Sequence, residues 1–185
     1  MSWADRVFEA IGTRPVEQSG QEDSLLVDVA PYRWHQAALV SRDMLGCAFF
    51  DWLSAVDVLD EGFQVALRIA APSVGFVESL MLRTTVPRAA AEVSCICDIY
   101  AGAAWHERET YEMFGIDFTG HGHLVPLLLP DNFEGHPLRK DFILASRVIK
   151  PWPGAKEPGE SESDAAPSRR RIRPPGVPDP ADWGS

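Results

Sequence analysis

Phe63-Gln64-Val65-Ala66-Leu67-Arg68-Ile69-Ala70 decides the fold. Phe63, Val65, Leu67 and Ile69 alternate with Gln64, Ala66, Arg68 and Ala70, the period-two pattern of a strand with one buried and one wetted face. Apolar runs Phe49 to Val58 and Phe76 to Val86 flank it, separated by Asp60-Glu61-Gly62 and Ala71-Pro72-Ser73. Both separators read as connections between successive strands, and Asp60-Glu61-Gly62 as a hairpin turn.

Upstream, Ser2 can cap a short helix whose apolar residues Trp3, Val7, Phe8 and Ile11 recur at helical spacing and stop at Gly12. Thr13 to Asp23 is polar and reads as loop. Leu25 to Val29 predicts a strand, and Pro31 opens a second helix to Leu45 that turns Trp34, Ala38 and Leu45 inward and ends at Gly46. The order helix, strand, helix, then consecutive strands predicts an α+β fold. The expected form is a two-layer sandwich with helices packed on a mixed, largely antiparallel sheet, followed by an extended C-terminal tail.

The tail is set off by composition. Eight of the 15 prolines lie in residues 151–185, with few aliphatics, so residues 1–150 form the folded domain and 151–185 a flexible or partner-draped tail. The tail's charges nearly cancel, five basic against six acidic. Nearly all of the net charge of −10 therefore belongs to the domain, with 12 basic against 21 acidic residues, and it disfavours nucleic acid or an anionic lipid surface as partner. Arg169-Arg170-Arg171-Ile172-Arg173 reads as a solvated charge run, with docking as the alternative. No apolar run approaches the roughly 18 residues of a spanning helix, and no signal peptide is evident, so membrane association is expected only through partner subunits. The three cysteines lack the paired spacing of a disulfide framework.

The densest chemistry lies between Trp105 and Phe142. Ala103 to Phe114 predicts a helix closed by Gly115. It places Glu107, Tyr111 and Phe114 on one stripe and lets Arg108 pair with Glu112. A carboxylate on such a stripe needs a partner, and Arg139 or Lys140 is the economical one for Glu107. The connector after Gly115 is too rich in Gly and Pro for a regular element, yet Leu124, Val125, Leu127, Leu128 and Leu129 must lie on some surface. Gly135-His136-Pro137 then gives Arg139, Lys140 and Asp141 a stiff base suited to pairing at an interface.

Metal chemistry is the competing reading, because His106, His121, His123 and His136 stand with Asp117, Asp131 and Glu107 in a ligand-rich block. No histidine falls four positions after His106, so the helical zinc-protease pattern fails, and the histidines are expected to cap turns or bond to backbone carbonyls. Cys95-x-Cys97 has only Cys47 to complete a set and is expected to serve as small buried hydrophobes. No dinucleotide or phosphate loop and no nucleophile elbow is present.

HERETYEMFGIDFTGH and LLLPDNFEGHPLRKDF resemble the signature of the 30-kilodalton subunit family, the C subunit in bacteria, of proton-pumping NADH:quinone oxidoreductase, respiratory complex I. Glu107, Arg108, Glu109, Phe114, Gly115, Gly120, His121 and the run Gly135, His136, Pro137, Leu138, Arg139, Lys140, Asp141, Phe142 carry it. Residues 103–142 match well, whereas residues 1–100 match only in element order and length. The chain departs from the pattern at Gly122, where proline is usual. It departs again at Val125 and Pro126, where basic residues are common, and at Ile143, where proline is common. Contacts of the connector through such basic residues are therefore not expected here.

The resemblance implies a structural and assembly subunit of the hydrophilic arm with no catalytic, cofactor or metal site of its own. Its signature residues would bind partners: the large quinone-site subunit and the iron-sulfur subunits of the connecting module. FMN and Fe-S clusters would reside in those other subunits, which pass electrons from NADH to quinone and couple this to proton translocation. The chain would then be peripheral, on the cytoplasmic face of a bacterial cell membrane. The equivalent subunit of a membrane-bound hydrogenase or formate hydrogenlyase is the nearer alternative, and a stand-alone His/Asp metal-dependent hydrolase the farther one.

Overall fold

A computed structural model describes residues 2–16, 24–130 and 133–143. Expectations for residues 151–185, and for Asp131, lie outside these. The elements below all belong to one compact unit, Met1–Phe142.

Helix α1 (Trp3–Ile11) starts as its sequence dictates: the Ser2 hydroxyl accepts from the Asp5 amide at 3.1 Å and the Asp5 carboxylate accepts from the Ser2 amide at 3.0 Å, a reciprocal capping box. Gly12, at φ 74°, ends it, and Trp3, Val7 and Ile11 are buried. Strand β1 (Ser24–Asp28) follows, and then the second helical segment, which differs from expectation. Pro31 does open it, but Pro31–Arg33 is a 3₁₀ turn, helix α2 spans only Trp34–Asp43, and Leu45 is buried just beyond the helix. Trp34 and Ala38 point inward as expected.

Strands β2 (Phe49–Asp57), β3 (Phe63–Ser73) and β4 (Phe76–Val86) form an antiparallel meander, and β1 pairs parallel with β4, giving the order β1-β4-β3-β2. The β2–β3 connection at Asp60-Glu61-Gly62 contains a 3₁₀ turn, Leu59–Glu61, closed by Gly62 at φ 104°. A side chain at Gly62 would collide with the Val86 carbonyl. The next connection does not fall where the separator suggested: β3 runs through Ala71-Pro72-Ser73, and the turn is at Val74–Gly75. Pairing with β2 stops at Ala70, so Pro72 lies where one side of β3 is an edge, and there a missing N–H can face solvent.

Register explains the core. Leu53 lies beside Leu67, Leu67 beside Leu82, and Val27 beside Leu82, so four fully buried residues form one row across the sheet. Each such burial contributes about 1.5–3 kcal/mol. The helix-facing parity of β2 continues through Leu53 and Ala55 to Asp57, which is therefore only 2% exposed. Strand β5 (Glu92–Ser94) pairs parallel with β6 (Asp117–Thr119), bracketing helix α3 (Ala103–Phe114), which packs along β2. No helix among the described residues is long and apolar enough to cross a membrane.

Candidate functional site

Helix α3 ends at Gly115, in the left-handed conformation at φ 68°, as its sequence requires. This end is the hub of the signature block. Arg139 donates through Nε to the Phe114 carbonyl, and His136 Nδ1 bonds to the Glu112 carbonyl at 2.8 Å. The Leu138 amide donates to the Met113 carbonyl at 3.1 Å. Three of the last carbonyls of α3, which have no partner within the helix, are thus met by residues 136–139, two of them through side chains. A Cβ at Gly115 would fall within the Arg139 and His136 side chains, so glycine is required there by space as well as by φ.

The Arg139 side chain does not meet Glu107, as the stripe argument expected. Glu107 is fully buried and accepts from the Ile96 amide at 2.8 Å and the Cys97 thiol at 3.3 Å. The reason is geometric: Glu107 lies near the start of α3 beside the 95–97 turn, two helical turns from the C-terminal end that Arg139 covers. Lys140 contributes its backbone amide rather than its ammonium, donating to Asp57 at 2.9 Å. Arg139 is half-buried beneath the helix end and so is not presented outward as an interface cation.

Arg108 and Glu112 do not form the expected i,i+4 ion pair either. Both side chains reach to the connector, from which they draw complementary bonds. Arg108 donates to the Val125 and Pro126 carbonyls at 2.9 and 2.8 Å, with its guanidinium 5.4 Å from the Trp105 ring centroid. The buried Glu112 carboxylate accepts from the Leu128 and Leu129 amides at 2.8 and 2.9 Å. Burial pushes the Glu112 carboxyl up, but the connector amides and then Arg108 outweigh it and hold the group below its usual range. The aliphatic connector therefore lies on its own domain, with Leu124 and Leu129 against the core and Leu128 exposed.

Asp57 belongs to the same cluster, although nothing in the sequence reading singled it out. It binds Arg88, accepts from the Leu59 amide at 2.8 Å, and holds the Lys140 amide. Burial pushes its carboxyl up, and these partners, Arg88 foremost, bring it below the ordinary value. The signal was present: an aspartate on the parity of Leu53 and Ala55. Arg88 and Arg139 lie over the Phe63 ring, 4.7 and 5.2 Å from its centroid, and Phe63 meets Phe114 edge-on at 6.2 Å. Arg88 also approaches Asp141 at 3.5 Å.

The other signature residues are dispersed. Glu109 and Pro137 are half-buried, Leu138 is exposed, and Gly120 and Gly135 both adopt φ 91°. Three of the four histidines of the block, His106, His121 and His136, bond to backbone carbonyls through their rings, whereas His123 contributes only its amide. His106 Nδ1 lies 3.0 Å from the Leu53 carbonyl, His121 Nε2 lies 3.3 Å from the Ala104 carbonyl, and His121 Nδ1 takes the His123 amide at 3.0 Å. Among the described residues they join no group of three metal-ligating side chains; Cys95, Cys97 and Glu107 do. Cys95 is buried as expected, but Cys97 is half-buried and its Sγ faces the carboxylate. Burial, then Glu107, pushes the Cys95 thiol up to about 11, and burial foremost raises Cys97 as well.

The chain is 38% identical over 93 residues to the C/D subunit of NADH-quinone oxidoreductase from Chromohalobacter salexigens, covering 50% of this chain and 16% of that protein. It is 36% identical over 105 residues to the C/D subunit from Pseudomonas fluorescens, covering 57% and 16%. The matched part is thus about a sixth of the length of these relatives. Among solved structures, a trypsin-resistant fragment of Nqo5 superposes with TM-score 0.56 at 23% identity, over 65% of this chain and 98% of that one. A chain of an archaeal respiratory membrane complex, the membrane-bound sulfane sulfur reductase, gives TM-score 0.62 at 21% identity, over 82% and 94%; both likenesses speak to the fold. Residues 27–148, which contain β2, β3 and β4, α3, the connector and the hub, match the sequence profile described as respiratory-chain NADH dehydrogenase, 30 Kd subunit, and the chain belongs to that family.

Proposed function

We propose that this chain is a structural subunit of the hydrophilic arm of proton-pumping NADH:quinone oxidoreductase, with the reaction carried by other subunits. One observation supports this most. Four ionisable side chains of the signature block are spent on backbone groups of the chain itself: Arg108, Glu112, His136 and Arg139 fix one helix end and one connector. Such an arrangement presents a rigid surface to a neighbour, and the carboxylate and imidazole that line the cavity between α3 and the connector, Glu112 and His136, are each already bonded to backbone. Leu128, Phe133, Leu138 and Trp105 are exposed around it, as a docking face needs. In this reading the large quinone-site subunit and the iron-sulfur connecting subunits are the partners, FMN and Fe-S clusters belong to them, and membrane attachment on the cytoplasmic face is indirect.

The test is affinity capture of the tagged chain from gently solubilised membranes. Recovery of a flavin- and iron-sulfur-containing assembly with NADH:quinone activity supports the proposal. A nickel-containing assembly without flavin assigns the chain to a hydrogenase instead, and a lone monomer overturns the assembly role.

A further inference from the structure

We propose that Cys95, Cys97 and Glu107 form a binding site for a zinc-class divalent metal ion, held by two thiolates and a carboxylate with water as fourth ligand. This goes beyond the assembly role and does not depend on it; it also departs from the reading of the two cysteines as apolar filler.

Geometry is the first support. One ligand atom from each of the three side chains can be chosen so that all lie within 4.8 Å of one another. Tetrahedral zinc with bonds of about 2.3 Å to sulfur and about 2.1 Å to oxygen places its ligands roughly 3.5–3.8 Å apart. Cys97 Sγ and Glu107 Oε2, at 3.3 Å, already lie near that spacing.

Charge is the second. Glu107 is fully buried and forms no ion pair among the described residues; the Ile96 amide and the Cys97 thiol donate to it, and a thiol is a weak donor. A buried carboxylate normally has a cation or several strong donors. A divalent ion at this point supplies the missing charge and deprotonates coordinating thiols outright, the two protons leaving to solvent.

The surroundings are the third. The Ile96 amide orients the Glu107 carboxylate, and the Cys97 amide donates to Cys95 Sγ at 3.3 Å, the kind of outer contact that steadies a metal-bound thiolate. The Cys95 amide is itself tied to the Thr119 carbonyl at 2.9 Å, so the turn is anchored to the end of β6. Cys97 is half-buried, so the cluster is not sealed from solvent.

The experiment is anaerobic titration of the reduced full-length chain with cobalt(II), followed by competition with zinc(II). The expected result is one cobalt per chain, with thiolate-to-cobalt charge-transfer absorption and the visible bands of a tetrahedral ion, displaced by zinc. Cys95→Ser, Cys97→Ser and Glu107→Gln should each weaken uptake by at least about tenfold, whereas Cys47→Ser, in the core elsewhere, leaves it unchanged. In Cys97→Ser the hydroxyl can keep the bond to Glu107, and circular dichroism checks that the variant is folded. Uptake without thiolate absorption, as at His121 and His123, or absorption that survives in Cys95→Ser/Cys97→Ser, overturns the proposal, as does absence of uptake.

Discussion

Arg139 caps Phe114: its guanidinium donates to the Phe114 carbonyl at the end of α3 while lying over Phe63 of the sheet. One side chain thus ties a loop, a helix terminus and the first residue of β3. A cation at a helix C-terminus is favoured by the helix dipole as well as by the bond itself.

Replacing Arg139 should therefore act on stability of this chain before it acts on any partner. Arg139→Ala is expected to cost about 2 kcal/mol, the scale of a charged hydrogen bond, with Arg139→Lys recovering only part because a single ammonium lacks the planar fork. Urea unfolding of the purified chain measures both. Equal stability of wild type and Arg139→Ala would show that the cap contributes nothing.

Glu112 governs the connector. In Glu112→Ala the Leu128 and Leu129 amides lose a charged acceptor, at about 1.5 kcal/mol for each bond lost. Hydrogen exchange at those two amides should accelerate well beyond that of the β3 amides. Uniform acceleration across the domain would mean that Glu112 supports the whole fold rather than the connector.

Asp57 and Glu112 both have carboxyls held below their usual values of 3.8 and 4.5. A group with a lowered folded pKa contributes stability above its unfolded pKa and loses it as pH falls through the folded one. Stability should consequently be flat above about pH 5 as far as these two groups are concerned, and should decline below about pH 4.5. Asp57→Asn should flatten part of that decline while lowering stability at neutral pH. Melting temperatures across an acid pH series check this.

Gly115 and Gly46 separate two demands on glycine. Both have positive φ, 68° and 72°, but a Cβ at Gly46 meets nothing within 4 Å, whereas one at Gly115 meets Arg139 and His136. Gly46→Ala should cost about 1 kcal/mol from backbone conformation alone. Gly115→Ala should cost distinctly more, because the cap must move aside. Chemical denaturation of the two variants side by side tests the difference, and equal losses would exclude the steric part.

Much of this architecture was legible from periodicity. The alternation of Phe63 to Ile69 placed β3 and its buried face, Ser2 and Gly12 bounded α1, and Ala103 to Gly115 bounded α3. Local rules sufficed there because each depends on neighbours within a turn or on a side-chain period. They did less well at Pro72, where strand or turn depended on whether β2 extended alongside, and at Pro31 to Leu45, where the first turn tightened to 3₁₀.

The sequence by itself determined the long helices and strands, the burial parity and the family signature, because hydrophobic spacing and cap chemistry act over short range. It did not determine the short strands β5 and β6, the second of which lies in a stretch read as irregular. Only the tertiary structure decided who pairs with whom among the charges. Glu107 went to Ile96 and Cys97, Arg108 and Glu112 to the connector, Arg139 to the helix end, and Asp57 to Arg88 and Lys140. A buried charge takes whichever donors or acceptors the fold leaves unmet, and helix ends and irregular backbone offer more of these than other side chains do.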